Sequence, residues 1–142
     1  MQYQLKMSAE EVSQYVREVF PQSIGYGWEV VDLCPGTIVV GYGISDQDLR
    51  PGGTVSGPTM FALADVAAYL LILGHIGRVA LAVTTNLNIN FLAKPQMGDL
   101  EARGKLLKLG RRLAVCDIAI HSRVDQVLVA HATATYSIPP ES

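Results

Sequence analysis

An α+β domain, with an antiparallel sheet wrapped around one apolar helix, is the fold class this 142-residue sequence predicts, and three observations predict it. Residues 60–73 form a stretch that is apolar on nearly every side apart from Asp65, so as a helix it must be covered almost all round. Four segments of strand character follow it, joined mostly by short turns, and short turns force antiparallel neighbours. Hydrophobic residues make up 49% of the chain and charged residues 17%, which is ample material for a core and a poor composition for disorder. The length fits a single domain over residues 1–142.

The elements follow in order. Ser8 with Glu11 has capping-box spacing, and Val12, Tyr15, Val16, Val19 and Phe20 form one stripe at the helical period. A first helix over about residues 8–20 therefore ends at Pro21. A hairpin is expected next, with arms at 26–33 and 37–44. Its turn, Cys34-Pro35-Gly36-Thr37, has the proline and glycine positions of type II geometry. Residues 45–57 are polar and rich in glycine and proline, and a loop of that length is often functional. Pro58 suits a first helical turn, so the central helix is expected over about 58–73, closing near Gly74 or Gly77.

Residues 82–91 alternate. Simple period-2 reading puts Val83, Thr85, Leu87, Ile89 and Phe91 on one face and Thr84, Asn86, Asn88 and Asn90 on the other. Three more strands are expected at about 99–109, 112–123 and 127–138, with turns at Gly110 and Asp125-Gln126, and a frayed tail at 139–142.

Several function classes lose support at this level. The formal net charge of −2 gives no general attraction to nucleic acid or anionic membrane. The longest apolar stretch is short of the roughly 20 residues that span a bilayer, and residues 1–11 do not read as a signal peptide, so a cytoplasmic protein is expected. Cys34 and Cys116 have no partner spacing and are expected to be reduced, buried and structural. His75, His121 and His131 lack metal-ligand spacing, so no metal is expected. No phosphate-binding loop, dinucleotide fingerprint or serine nucleophile elbow is present in the sequence.

Asp65 carries the most chemical information. A carboxylate among Phe61, Ala62, Leu63, Ala64, Val66, Ala67 and Ala68 costs several kcal/mol if buried, charged and unpaired, so it must reach a partner, water or a ligand. It either pairs structurally with a cation or a backbone donor, or faces a cleft as general base or nucleophile. Gly57 stands where a loop meets a helix N-terminus, and N–H groups there can polarise a carbonyl oxygen. Pro58 cannot donate, which leaves Gly57, Thr59 or a nearby group. Arg103, Lys105, Lys108, Arg111 and Arg112 are either a solvated strand pair or a perch for phosphates.

Four stretches, in this order, resemble the PaaI-type hotdog acyl-CoA thioesterases over about residues 25–138. They are Ser56-Gly57-Pro58-Thr59 running on to Asp65, the strand from Thr84 to Phe91, Lys94-Pro95 with Gly98-Asp99, and Leu109-Gly110-Arg111-Arg112. The resemblance implies a hotdog fold and metal-independent hydrolysis of an acyl-CoA to free acid and CoA, with no cofactor beyond the coenzyme A of the substrate. It implies Asp65 as catalytic acid residue, Gly57 as carbonyl-polarising donor and Thr84 as a hydroxyl that orients water. Ser56, Thr59, Arg50, Arg111 and Arg112 are the substrate-binding candidates. It also implies a homodimer, paired into a tetramer, with Gly57 and Asp65 of one functional site supplied by different chains. Two departures stand out: Ser56 and Pro58 replace the histidine and second glycine of the usual His-Gly-Gly passage, and Arg50 occupies the place of an asparagine. Arg50 could donate to the thioester, contact a phosphate or pair with Asp65. These departures also motivate an alternative, a non-hydrolytic acyl-CoA-binding protein.

Overall fold

The computed structural model describes residues 2–23 and 27–140. Helix α1 (Ala9–Val19) starts at Ser8, whose hydroxyl accepts the Glu11 N–H at 3.1 Å while the Glu11 carboxylate accepts the Ser8 N–H at 3.0 Å. Its buried face, Val12 and Val16, packs toward strand β1 (Trp28–Cys34) and the central helix. Tyr26, the expected first residue of that strand, lies outside the described residues. Strand β2 (Thr37–Tyr42) returns antiparallel through a turn in which Gly36 has φ of 86°, a conformation that favours glycine.

The central helix α2 (Gly57–Ile76) is longer than the sequence stretch suggested. Gly74 does not end it. It lies inside the last turn because Leu33 packs there, 3.0 Å from where a Cβ would stand, and Gly77 with φ of 93° forms the cap. At 20 residues the helix is long and apolar enough to cross a membrane, so length does not separate the two possibilities. Its surroundings do, because most of its surface is buried against protein.

Strands β3 (Val83–Phe91), β4 (Leu100–Leu109), β5 (Leu113–Ser122) and β6 (Leu128–Ser137) complete a six-stranded sheet in the order β1-β2-β4-β5-β6-β3, antiparallel throughout. β4, β5 and β6 pair in sequence, as short turns require. β3 does not join β4; it crosses to the far edge beside β6, so the expectation of sequential neighbours fails there. The inner face of the sheet is lined by small side chains, with Ala130, Ala132 and Ala134 from β6 and Gly104 from β4, and these let the sheet close tightly on α2.

Register changes the reading of β3. A bulge at Thr85 separates the pairs Thr84↔Tyr136 and Asn86↔Thr135. The extra residue shifts the alternation by one position. Thr84 therefore shares the helix-facing side with Leu87, Ile89 and Phe91, whereas Val83 joins Asn86, Asn88 and Asn90 on the outer side. That corrects the simple period-2 assignment of Thr84 and Val83. Cys116 is buried as expected, but Cys34 is exposed because it closes an edge strand at the hairpin turn. His75 is a satisfied core residue: its Nε2 accepts the Gly36 N–H at 2.9 Å, which leaves Nδ1 to donate to the Leu71 carbonyl at 2.8 Å.

Candidate active site

Asp65 lies mid-helix on the side of α2 turned toward β3 and β6, and is half-buried. Thr84 Oγ1 donates to its Oδ1 at 2.7 Å, and the Tyr136 hydroxyl donates to the same oxygen at 2.7 Å. The Tyr136 hydroxyl is also 3.1 Å from the Asp65 carbonyl oxygen. Among the described residues no cation stands within 4 Å of the carboxylate, so neither Arg50 nor any other base pairs with it. Oδ2 accepts no hydrogen bond and is not among the buried polar atoms left without a partner, so it retains access to solvent. The carboxylate is thus held by one oxygen and open at the other.

Nothing in the sequence marks Tyr136. Its ring is buried and stacks on Tyr69, with centroids 6.0 Å apart, while the Tyr69 hydroxyl donates to the Ala80 carbonyl at 2.8 Å. Burial, and then the charge of Asp65, push the Tyr136 phenol far above its ordinary range, so it remains a proton donor. Thr84 and Tyr136 face each other across the β3–β6 ladder, and the bulge at Thr85 is what puts both hydroxyls on the helix side.

The N-terminus of α2 is accounted for group by group. The Ser56 N–H donates to the Asp48 carbonyl at 2.7 Å, and the Thr59 N–H donates to Ser56 Oγ at 3.3 Å. Pro58 has no N–H. Gly57 is therefore left, among the described residues, with the one N–H of the capping turn that no protein group accepts. Its Cα side is crowded, since a Cβ would stand 3.3 Å from Phe91 Cζ. Ser56 in the usual histidine position is thus an ordinary helix cap, and Thr59 faces inward rather than toward a ligand.

Asp48, in the loop before α2, is likewise unmarked in the sequence. Only 7% exposed, its carboxylate accepts from the Tyr42 hydroxyl at 3.0 Å, Thr59 Oγ1 at 3.0 Å and the Ser45 N–H at 2.8 Å. Burial and the Asp48 carboxylate together push the Tyr42 phenol up to about 12.

The remaining candidates separate. Arg103 is tied to Glu101 at 2.7 Å and donates to Gln126, so it is not part of a free cationic cluster. Arg111 and Arg112 are exposed in the β4–β5 turn, at the end of the sheet that carries the Ala114–Tyr136–Thr84 row, and Arg112 Nε donates to the Ile138 carbonyl at 3.3 Å. Arg50 is exposed in the loop ahead of α2. The candidates therefore fall into two separate groups in one chain. Arg50 and Gly57 stand at the N-terminus of α2, with Ser56 and Thr59 in its cap, while Asp65 and Thr84 meet at mid-helix, on the side of the sheet whose β4–β5 turn carries Arg111 and Arg112. Asp65 lies eight helical steps beyond Gly57, about 12 Å along the axis, too far for both to act on one carbonyl in the same chain. Among the described residues no group of three His, Cys, Asp or Glu side chains is placed to hold a metal ion.

The family model of the thioesterase superfamily matches residues 52–136, a segment that contains Gly57, Asp65, Thr84 and Tyr136. A presumptive thioesterase from Silicibacter sp. TM1040 superposes with a TM-score of 0.88 at 49% identity, covering 96% of this chain and 95% of that one. A variant of the phenylacetic acid degradation protein PaaI from Thermus thermophilus gives 0.70 at 30% identity, covering 80% and 94%. A hypothetical thioesterase from Streptococcus pneumoniae TIGR4, crystallised with coenzyme A, shares the fold at 21% identity with a TM-score of 0.73, covering 94% and 98%. With its central helix, six-stranded antiparallel sheet and matched segment, this chain belongs to the thioesterase superfamily and has the hotdog fold.

Proposed function

We propose that the protein hydrolyses an acyl-CoA thioester to the free acid and CoA, with Asp65 supplying the reactive carboxylate. The observation that carries this reading is the Asp65 carboxylate itself, fixed at Oδ1 by two hydroxyls, with Oδ2 open and no cation beside it. Two donors on one oxygen set the plane of the group, so Oδ2 points in one direction. As a base, Oδ2 takes a proton from water as the water oxygen bonds to the thioester carbon. The carbonyl electrons move to its oxygen, which the Gly57 N–H of a second chain stabilises with the help of the helix dipole. Collapse re-forms the carbonyl and breaks the C–S bond, and the departing thiolate takes up the proton that Asp65 removed from water. Direct attack by Oδ2 would instead give a mixed anhydride that water opens, and it uses the same free oxygen.

The separation of the Gly57 group from the Asp65 group supports reading them as two half-sites of a site shared between copies. β3 is an edge strand with an unpaired backbone edge, and pairing it with its counterpart in a second copy would bring complementary half-sites together. Arg111 and Arg112, exposed at the Asp65 end, supply cations for the phosphates of the CoA nucleotide. The coenzyme A in the Streptococcus pneumoniae structure is in keeping with that substrate class on this fold. The test is thiol release from a panel of acyl-CoAs by the wild type and by Asp65→Asn. The expected result is a loss on the order of 10²–10⁴-fold, the scale of general acid–base catalysis. Equal turnover by the variant would remove Asp65 from the reaction, and a stable active monomer on gel filtration would remove the shared site.

A further inference from the structure

Asp48 is a buried carboxylate that the proposed reaction does not use and that no cation neutralises among the described residues. A charge in that position is costly unless every lone pair is committed, and here the commitments go to three separate segments. The Tyr42 hydroxyl comes from the end of β2, the Ser45 N–H from the loop, and Thr59 Oγ1 from the first turn of α2. Thr59 Oγ1 in turn accepts the Ser56 hydroxyl at 3.0 Å, while Ser56 Oγ accepts the Thr59 N–H. The main chain repeats the connection, because the Asp48 carbonyl accepts the Ser56 N–H at 2.7 Å. Asp48 thus grips the residue before Gly57 by its backbone and the second residue after it by its side chain.

We infer that Asp48 is a positioning residue for the Gly57 N–H, a role that rests on the proposed use of that N–H toward the thioester oxygen. Both peptide neighbours of Gly57 are constrained, on one side by the Ser56 link to Asp48 and on the other by the fixed φ of Pro58. The peptide plane that carries the Gly57 N–H lies between Ser56 and Gly57, so holding Ser56 sets the direction of the donor. A loop rich in glycine, with Gly52 and Gly53 both at positive φ, would not by itself supply that rigidity. The chain of donors also explains the serine at the usual histidine position: a hydroxyl can accept the Thr59 N–H and donate toward Asp48 through Thr59.

The test compares wild type, Asp48→Asn, Thr59→Val and Thr59→Ser as full-length protein, reading kcat and KM for acyl-CoA, the melting temperature, and hydrogen exchange of the Ser56, Thr59 and Met60 backbone amides. Misplacing a donor by a fraction of an ångström is expected to lower kcat on the order of tenfold to hundredfold in Asp48→Asn and Thr59→Val. KM should stay within about threefold, and Thr59→Ser, which keeps the hydroxyl, should recover most of the kcat lost in Thr59→Val. The Ser56, Thr59 and Met60 amides should exchange faster in the two impaired variants. A lower melting temperature with unchanged kcat would reduce Asp48 to a structural anchor and overturn the inference. If the wild type releases no thiol, the hydrolase reading fails by itself. Exchange then decides whether Asp48 holds the cap: faster exchange confined to these amides supports it, and unchanged exchange refutes it.

Discussion

Replacing Tyr136 with phenylalanine tests the geometry of the carboxylate most directly, because it removes one hydroxyl and little else. The ring stays in its buried stack on Tyr69, but the 2.7 Å bond to Asp65 Oδ1 and the 3.1 Å approach to the Asp65 carbonyl are lost. A hydrogen bond to a charged group is worth about 1.5–3 kcal/mol. Asp65 keeps Thr84 and solvent, so the stability loss should fall near the lower end, about 1.5–2 kcal/mol, or roughly 5–7 °C in Tm for a domain of this size. The catalytic effect has a different origin. The terminal torsion of an aspartate is broad and roughly two-fold, so a single donor no longer sets the direction of Oδ2. A drop in kcat of about tenfold to hundredfold, with KM within about threefold, is the expected signature. Thr84→Val should behave alike. The double variant should lose less than the product of the two single losses, because both donors serve one oxygen. Steady-state kinetics with a thiol-trapping reagent, alongside thermal melts, measure both quantities. A Tm decrease with wild-type kcat in Tyr136→Phe would refute the argument and leave the tyrosine as a packing residue.

Other consequences are open to measurement. Arg111→Ala with Arg112→Ala should raise KM for an acyl-CoA severalfold and leave KM for the matching acyl-pantetheine thioester, which lacks the nucleotide phosphates, unchanged; equal effects on both would place the arginines outside CoA recognition. Gly104→Ala would put a Cβ 2.9 Å from both Ile118 Cδ1 and Ile38 Cγ2, so urea unfolding should show a loss of about 1–3 kcal/mol from overpacking, and an unchanged midpoint would show the sheet yields there. Tyr42, pushed up to about 12, and Tyr136, raised further, both keep protons that the unfolded chain releases near pH 10. Their contribution is complete below about pH 10 and lost as pH rises from there toward about 12, so unfolding midpoints should fall over that interval, and less steeply in Tyr42→Phe.

Legibility in the sequence followed the range of the interactions involved. Local signals sufficed for α1, where Ser8 and Glu11 are three residues apart, and for the Pro35-Gly36 turn. Asp65 was legible because one charge in an apolar run must be explained by something outside the run. Tyr136 was not, since an inward-facing aromatic near a strand end looks like core until the 71-residue contact with Asp65 is known. Asp48 was hidden for the opposite reason. An aspartate in a polar, glycine-rich loop looks solvated, and only the return of the loop over Tyr42 and Thr59 buries it. Of the two stops the sequence offers for α2, Gly77 is the cap and Gly74 is not, because the missing side chain of Gly74 makes room for Leu33.

The misassigned face of Thr84 exposes how this sheet builds its site. A strand that alternates without interruption from an apolar Phe91 back to residue 83 would present Thr85 to the helix and turn Thr84 away. The bulge reverses this at one step and brings Thr84 opposite Tyr136. Such an insertion disrupts the ladder locally, and bulges are most frequent at sheet edges. β3 is an edge, so one side of the disruption falls toward open backbone, and on the other the Thr85 hydroxyl donates to the Thr135 carbonyl at 3.3 Å. The same edge that makes the bulge tolerable is the one whose pairing with a second copy would complete the two half-sites. Placement of the hydroxyl and availability of the strand for a partner are thus linked through one residue, Thr85, whose own hydroxyl bonds to the Thr135 carbonyl rather than to Asp65.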